Sequence, residues 1–156
     1  MLTLRRRATR EDVSSLGARG RPVMLATLEV PFDDEAAAFA VDAAVECGQP
    51  LIVATVIEMP LGPMCVIMGY GDLEPSEEEA ARFRAPAQLA HTLGVHVERL
   101  RVRSPHPVDA LLELVAEREP GLLVFGPDRS QLNPRLFRKA AKKIRDRATC
   151  LVWLAD

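Results

Sequence analysis

The residues best suited to chemistry lie in one stretch near the carboxyl end, where Gly126 is followed by Arg129, Arg135, Arg138, Lys139, Lys142 and Lys143. Guanidinium and ammonium groups after a glycine turn could clamp an anion with side chains, the arginines by forked, charge-assisted hydrogen bonds. The same spacing also reads as a solvated helix face, because Leu136, Phe137, Ala140, Ala141, Ile144 and Ala148 recur at helical intervals and leave the basic residues on the other side. Both readings stand at this level, and under the first Arg129, Arg135 and Lys139 would hold a nucleotide or another anion. His91, His96 and His106 share no metal-ligand spacing, and Cys47, Cys65 and Cys150 form no pair, so buried, reduced thiols are expected. No nucleophile and base can be matched, and no catalytic residue or metal site is expected.

Charge placement says more about partners than the net charge of −2 does. Gly126 to Arg147 holds eight basic and two acidic residues, and Arg5 to Arg21 holds six basic and two acidic. The remainder has six basic and eighteen acidic, a balance of −12. Basic stretches invite comparison with nucleic-acid binders, but stacking aromatics and any docking motif are missing, so nucleic acid is not an expected partner. No apolar run approaches the roughly 20 residues of a membrane span and no signal segment stands at the start, so a cytoplasmic protein with no membrane partner is expected.

These residues must be positioned by a fold, and its elements are legible. Aromatics are only 4% of a chain that is 48% hydrophobic, so the core must be aliphatic, as between helices and a buried parallel sheet. Residues 1–21 lack apolar periodicity and read as a flexible basic arm, with one domain over 22–156. Val23–Leu28 and Leu51–Ile57 are short apolar runs suited to strands covered on both faces. Between them Asp33-Asp34-Glu35 leads a helix over Ala36–Cys47 that Gly48 stops. Met59 to Pro75 is too apolar for an ordinary solvated loop, and suits a lid, an oligomer contact or a loop closed over its own core. Ser76 and Glu79 form a capping box for a helix to Leu93, which Pro86 should kink.

Val95–Val102 carries charges that fit an edge strand. A helix over Val108–Glu119, a buried strand at Leu122–Phe125, a helix over Pro134–Arg147 and a last strand at Cys150–Leu154 complete the chain. Strands alternating with helices imply a parallel sheet with helices on both faces, and a ligand crevice beyond the carboxyl ends of the strands.

The segment from Leu122-Leu123-Val124-Phe125-Gly126 to Ala148-Thr149-Cys150-Leu151-Val152-Trp153 resembles the carboxyl-terminal signature of universal stress proteins, and the resemblance extends over Pro22 to Leu154. It implies an α/β fold like that of the adenine nucleotide alpha hydrolases, with five parallel strands in the order 3-2-1-4-5. Nucleotide-binding members show G-x2-G-x9-G-[ST], in which backbone N–H groups and a hydroxyl hold phosphates. Counted from Gly126, the later anchors fall on Arg129, Lys139 and Ala140, so only the first glycine is kept. The family's adenine-binding Asp near the end of the first strand is matched by Leu28 or, with a slip of one, Glu29. With those departures, the resemblance implies a regulatory or stress-response protein, not an enzyme, that does not bind ATP in the family's manner and needs no cofactor. The alternative is a module that holds a nucleotide or another small anion on Arg and Lys side chains. The resemblance also implies a homodimer joined through the last strand, with Trp153 as a reporter and Val152→Lys as a disrupting change.

Overall fold

The computed structural model describes residues 20–59 and 76–154. Five strands, β1 (Val23–Leu28), β2 (Leu51–Glu58), β3 (Val97–Ser104), β4 (Leu122–Phe125) and β5 (Leu151–Leu154), form one parallel sheet in the order β3-β2-β1-β4-β5. Four helices connect them: α1 (Asp34–Cys47), α2 (Glu77–Thr92), α3 (Pro107–Arg118) and α4 (Pro134–Arg147). The basic arm and most of the Met59 to Pro75 segment lie outside the described residues.

Side chains alternate across the sheet, and the two faces collect separate cores. Val23 and Leu25 of β1 join Ala40, Val41 and Ala44 of α1 and Ala87 and Ala90 of α2. Met24, Ala26 and Leu28 join Leu111 and Val115 of α3 and Ala140, Ala141 and Ile144 of α4. A strand buried on both faces cannot show polar alternation, which is why β1 reads as an unbroken apolar run. Met24 and Leu25 are each fully buried, worth about 1.5–3 kcal/mol apiece.

Local signals placed the helix ends well. The Asp33 carboxylate accepts from the Ala36 N–H at 2.9 Å, and Gly48 ends α1 with φ of 62°. The Ser76 hydroxyl accepts from the Glu79 N–H at 3.2 Å, and α2 runs through Pro86 to Thr92. One strand begins two residues later than its composition suggests. The Val95 N–H is taken by the Ala90 carbonyl at 3.0 Å as the chain turns through Gly94, φ 81°, so β3 enters at Val97 and continues to Ser104. Its edge position is as expected, and Arg99 and Arg101 stand exposed along it. Cys47 and Cys150 are half-buried rather than buried, and Cys65 lies outside the described residues.

Candidate functional site

The order of the strands places a switch point between β1 and β4, whose carboxyl ends diverge to opposite faces. The chain leaves β1 through Glu29, a non-glycine residue with φ of 59°. Its N–H donates to the Val56 carbonyl at 3.0 Å, and the next residue closes a tight turn, Val30 N–H to Leu28 carbonyl at 2.6 Å. Such a conformation is costly for an L-residue and persists only where its surroundings hold it. Here the buried Thr27 hydroxyl helps, donating to the Val30 carbonyl at 2.7 Å. The Glu29 carboxylate accepts from the Glu58 N–H at 3.2 Å. Loss of water raises its pKa first, the Glu58 N–H opposes that, and the Glu58 charge adds to the rise.

From β4 the chain passes through Gly126 into the loop before α4. A methyl group on Gly126 would lie 2.2 Å from the Ala36 Cβ, so glycine here lets the end of β4 pass the first turn of α1. The two loops are then joined by backbone bonds: Asp33 N–H to the Gly126 carbonyl at 2.9 Å and Asp128 N–H to the Pro31 carbonyl at 2.8 Å, flanking an antiparallel bridge between Phe32 and Pro127.

Beyond that bridge the loop folds around the Asp128 carboxylate. One oxygen accepts from the Ser130 N–H at 3.0 Å and the Ser130 hydroxyl at 2.6 Å. The other accepts from the Gln131 amide at 3.1 Å and from Arg82 of α2 at 2.9 Å. The Ser130 hydroxyl, then the Arg82 guanidinium, hold the pKa of this acid down to about 2, so it is charged throughout the neutral range. The Asp128 carbonyl accepts from both Gln131 and Leu132 N–H at 3.1 Å, and the Asn133 side chain caps α4 by accepting from the Arg135 N–H at 2.9 Å. The Asp128, Ser130, Gln131, Leu132 and Arg135 N–H groups of this stretch are thus satisfied within the chain.

The expected site residues divide accordingly. Leu28 is 1% exposed and packs into the core beneath α3 and α4, so only Glu29 of that pair reaches the crevice rim. Gly126 is buried against α1. Arg129 is exposed, with its guanidinium over the Phe137 ring, 4.2 Å from the centroid. Arg135 and Lys139 stand exposed, one turn apart on α4, without an ion pair among the described residues. Lys143 and Arg147 are instead drawn to Asp109 of α3. Residue spacing missed Asp128, Ser130, Gln131 and Arg82. The local Asp-x-Ser-Gln run carries the signal of an Asx turn, whereas Arg82, 46 positions away, had none. Arg82 also lines a cavity of about 200 Å³ between α1 and α2, floored by Phe32, Ala37, Ala85 and Pro86. Among the described residues no group of three or more His, Cys, Asp or Glu side chains could hold a metal ion, and no helix is long and apolar enough to cross a membrane.

Comparison with known proteins gives a consistent picture. A model of the universal stress protein family matches residues 20–155. No curated protein matches the chain. Among solved structures, a universal stress protein in complex with cAMP is 22% identical, over 86% of this chain and 95% of that one, with a TM-score of 0.57. One from Archaeoglobus fulgidus in complex with dAMP is 19% identical over 87% and 98%, with a TM-score of 0.55. The universal stress protein UspA from Lactobacillus plantarum is 16% identical over 88% and 98%, with a TM-score of 0.63. At such identities the likeness is one of fold.

Proposed function

The chain belongs to the universal stress protein family, and on that premise we propose that it serves the family's stress-response, regulatory role as a non-enzymatic binding module that does not hold ATP in the family's manner. The observation carrying this reading is the hydrogen bonding of the loop after β4, where the Asp128 carboxylate takes the Ser130, Gln131 and Arg82 donors. Arg129, Lys139 and Ala140 at the later anchor positions support it, since neither bulky side chain permits a close backbone approach and the alanine side chain offers no hydrogen bond. Calorimetry with magnesium and ATP should show no saturable heat at micromolar protein. A micromolar dissociation constant, about −8 kcal/mol, would overturn the reading.

A second reading has its own observation, the exposed Arg135 and Lys139 on the first turns of α4, which have no ion pair among the described residues. They could hold a nucleotide or small anion from the side, with Arg129 turning off Phe137 to join them. If ATP or AMP does bind, and Arg135→Ala with Lys139→Ala abolishes it, this clamp replaces the first reading. If binding survives the pair of changes, the clamp is excluded.

Assembly through β5 is part of the same proposal. β5 pairs only with β4 among the described strands, and its Leu151-Val152-Trp153-Leu154 run lacks the charges that blunt β3 at the other edge. A two-fold mate would satisfy its open backbone groups in an isologous contact. Trp153 is a poorer reporter than its sequence position suggests: it is 5% exposed within one chain and stacks on Phe39 of α1, centroids 5.1 Å apart. Val152 is 6% exposed, so a lysine there would disrupt the fold as well as the seam. Leu154 is half-buried and gives the cleaner test. Sedimentation should show a dimer at micromolar concentration and a folded monomer for Leu154→Lys. A monomeric wild type would overturn the assembly, and a dimeric variant would place the contact elsewhere.

A further inference from the structure

Four donors from two separate elements converge on the Asp128 carboxylate: the Ser130 N–H, the Ser130 hydroxyl, the Gln131 amide and the Arg82 guanidinium, at 2.6 to 3.1 Å. Backbone N–H, hydroxyl, amide and guanidinium together are the donor set by which proteins hold a tetrahedral oxyanion or a small carboxylate. In this loop the anion is supplied by the chain.

We propose that the loop after β4 is an anion site with Asp128 as its resident anion, and that this one carboxylate is the specificity determinant that keeps phosphate out. This rests on the proposed loss of the family's ATP binding and deepens it, because it names the residue responsible for exclusion. The lost glycines explain why a phosphate cannot approach the backbone closely. Asp128 explains why the donors that remain do not bind one anyway. An entering phosphate would have to displace a carboxylate tethered to its own site, at the high effective concentration of an intramolecular ligand. It would also meet like charge.

The ion pair adds a mechanical consequence. Asp128 has 17% and Arg82 42% of its side chain exposed, and their contact ties the loop to the first half of α2. A surface ion pair alone contributes little, but this one shares its carboxylate with three further donors fixed by the loop itself. Without the carboxylate, Arg82, Ser130 and Gln131 remain near one another with no anion between them. Two bonds that do not use the side chain still hold the backbone in place, Asp128 N–H to Pro31 and Leu132 N–H to the Asp128 carbonyl.

The test is binding of inorganic phosphate by the full chain, read by calorimetry and by the shift of the melting temperature. Wild type should show no saturable binding. Asp128→Ala should bind phosphate, with an affinity gain of roughly tenfold or more over wild type. Adding Arg82→Met should remove most of that gain. Asp128→Ser, which can keep the local turn through its hydroxyl, should behave like the alanine variant and serves if the latter does not fold. Equal phosphate affinity in wild type and both Asp128 variants would overturn the inference, as would a gain that Arg82→Met leaves untouched. ATP binding by the wild type speaks to the proposed function instead, so the two can fail separately.

Discussion

Replacing Phe125 with alanine should cost about 3–5 kcal/mol, a large share of what a domain of this size has available. Phe125 is fully buried at the end of β4, immediately before Gly126. Its ring stacks on Phe137 of α4, centroids 5.8 Å apart and planes 15° from parallel, and Phe137 in turn carries the Arg129 guanidinium. Deletion leaves a cavity between the sheet and the first turns of the basic helix, beneath the loop that holds Asp128. Chemical unfolding should show a lower midpoint with an unchanged slope, the signature of lost stability without a change in cooperativity. Arg129→Ala, which removes only an exposed cation from the outer ring, should cost no more than about 1 kcal/mol. The stack would not be the anchor of this corner if Phe125→Ala cost as little as Arg129→Ala.

Gly126→Ala should destabilise the chain by about 2–3 kcal/mol, at the upper end of what one added methyl costs in a close-packed interior. Such a loss corresponds to a fall of roughly 5–10 °C in melting temperature for a chain of this length. The added carbon meets the Ala36 Cβ at 2.2 Å, and neither side can yield easily. Ala36 is fully buried in a turn capped by Asp33, while the Gly126 carbonyl is held by the Asp33 N–H. This substitution separates two roles for Gly126. A glycine present only to admit a phosphate could be changed without harm to the free protein. A glycine present for packing cannot, and its partner can be named. Ala36→Gly alone should cost about 1 kcal/mol as a helix penalty, yet combined with Gly126→Ala it should recover much of the loss, giving a coupling well above the error of additivity. Melting of the four proteins in the cycle checks this. Near-wild-type stability of Gly126→Ala, or strict additivity, would return the glycine to a ligand role.

Much of this molecule was legible as sequence because the determining physics is local. The apolar runs of β1, β2 and β4, the acidic cluster that leads α1, the Ser76 cap and the stops at Gly48 and Gly94 depend on residues within a few positions of one another, and each element lies within two residues of where the pattern put it. Alternation of strand and helix then leaves few topologies open, and the resemblance over Pro22 to Leu154 selected among them. Strand ends were less legible, as β3 illustrates, because Val95 had to choose between the α2 carboxyl end and the sheet.

What tertiary structure alone decided is which groups face which. The resemblance put Gly126 and Arg129 at the positions of ligand anchors, and folding sets one against Ala36 and the other against Phe137. Sequence reading gave Asp128 no role, and folding makes it the centre of the loop by bringing Arg82 to it from α2. The physical reason is that hydrophobic periodicity reports the direction of a side chain relative to its own element. A hydrogen-bonded anion site depends on where two elements distant in sequence come to lie side by side, and that is settled only when the two cores on either face of the sheet close.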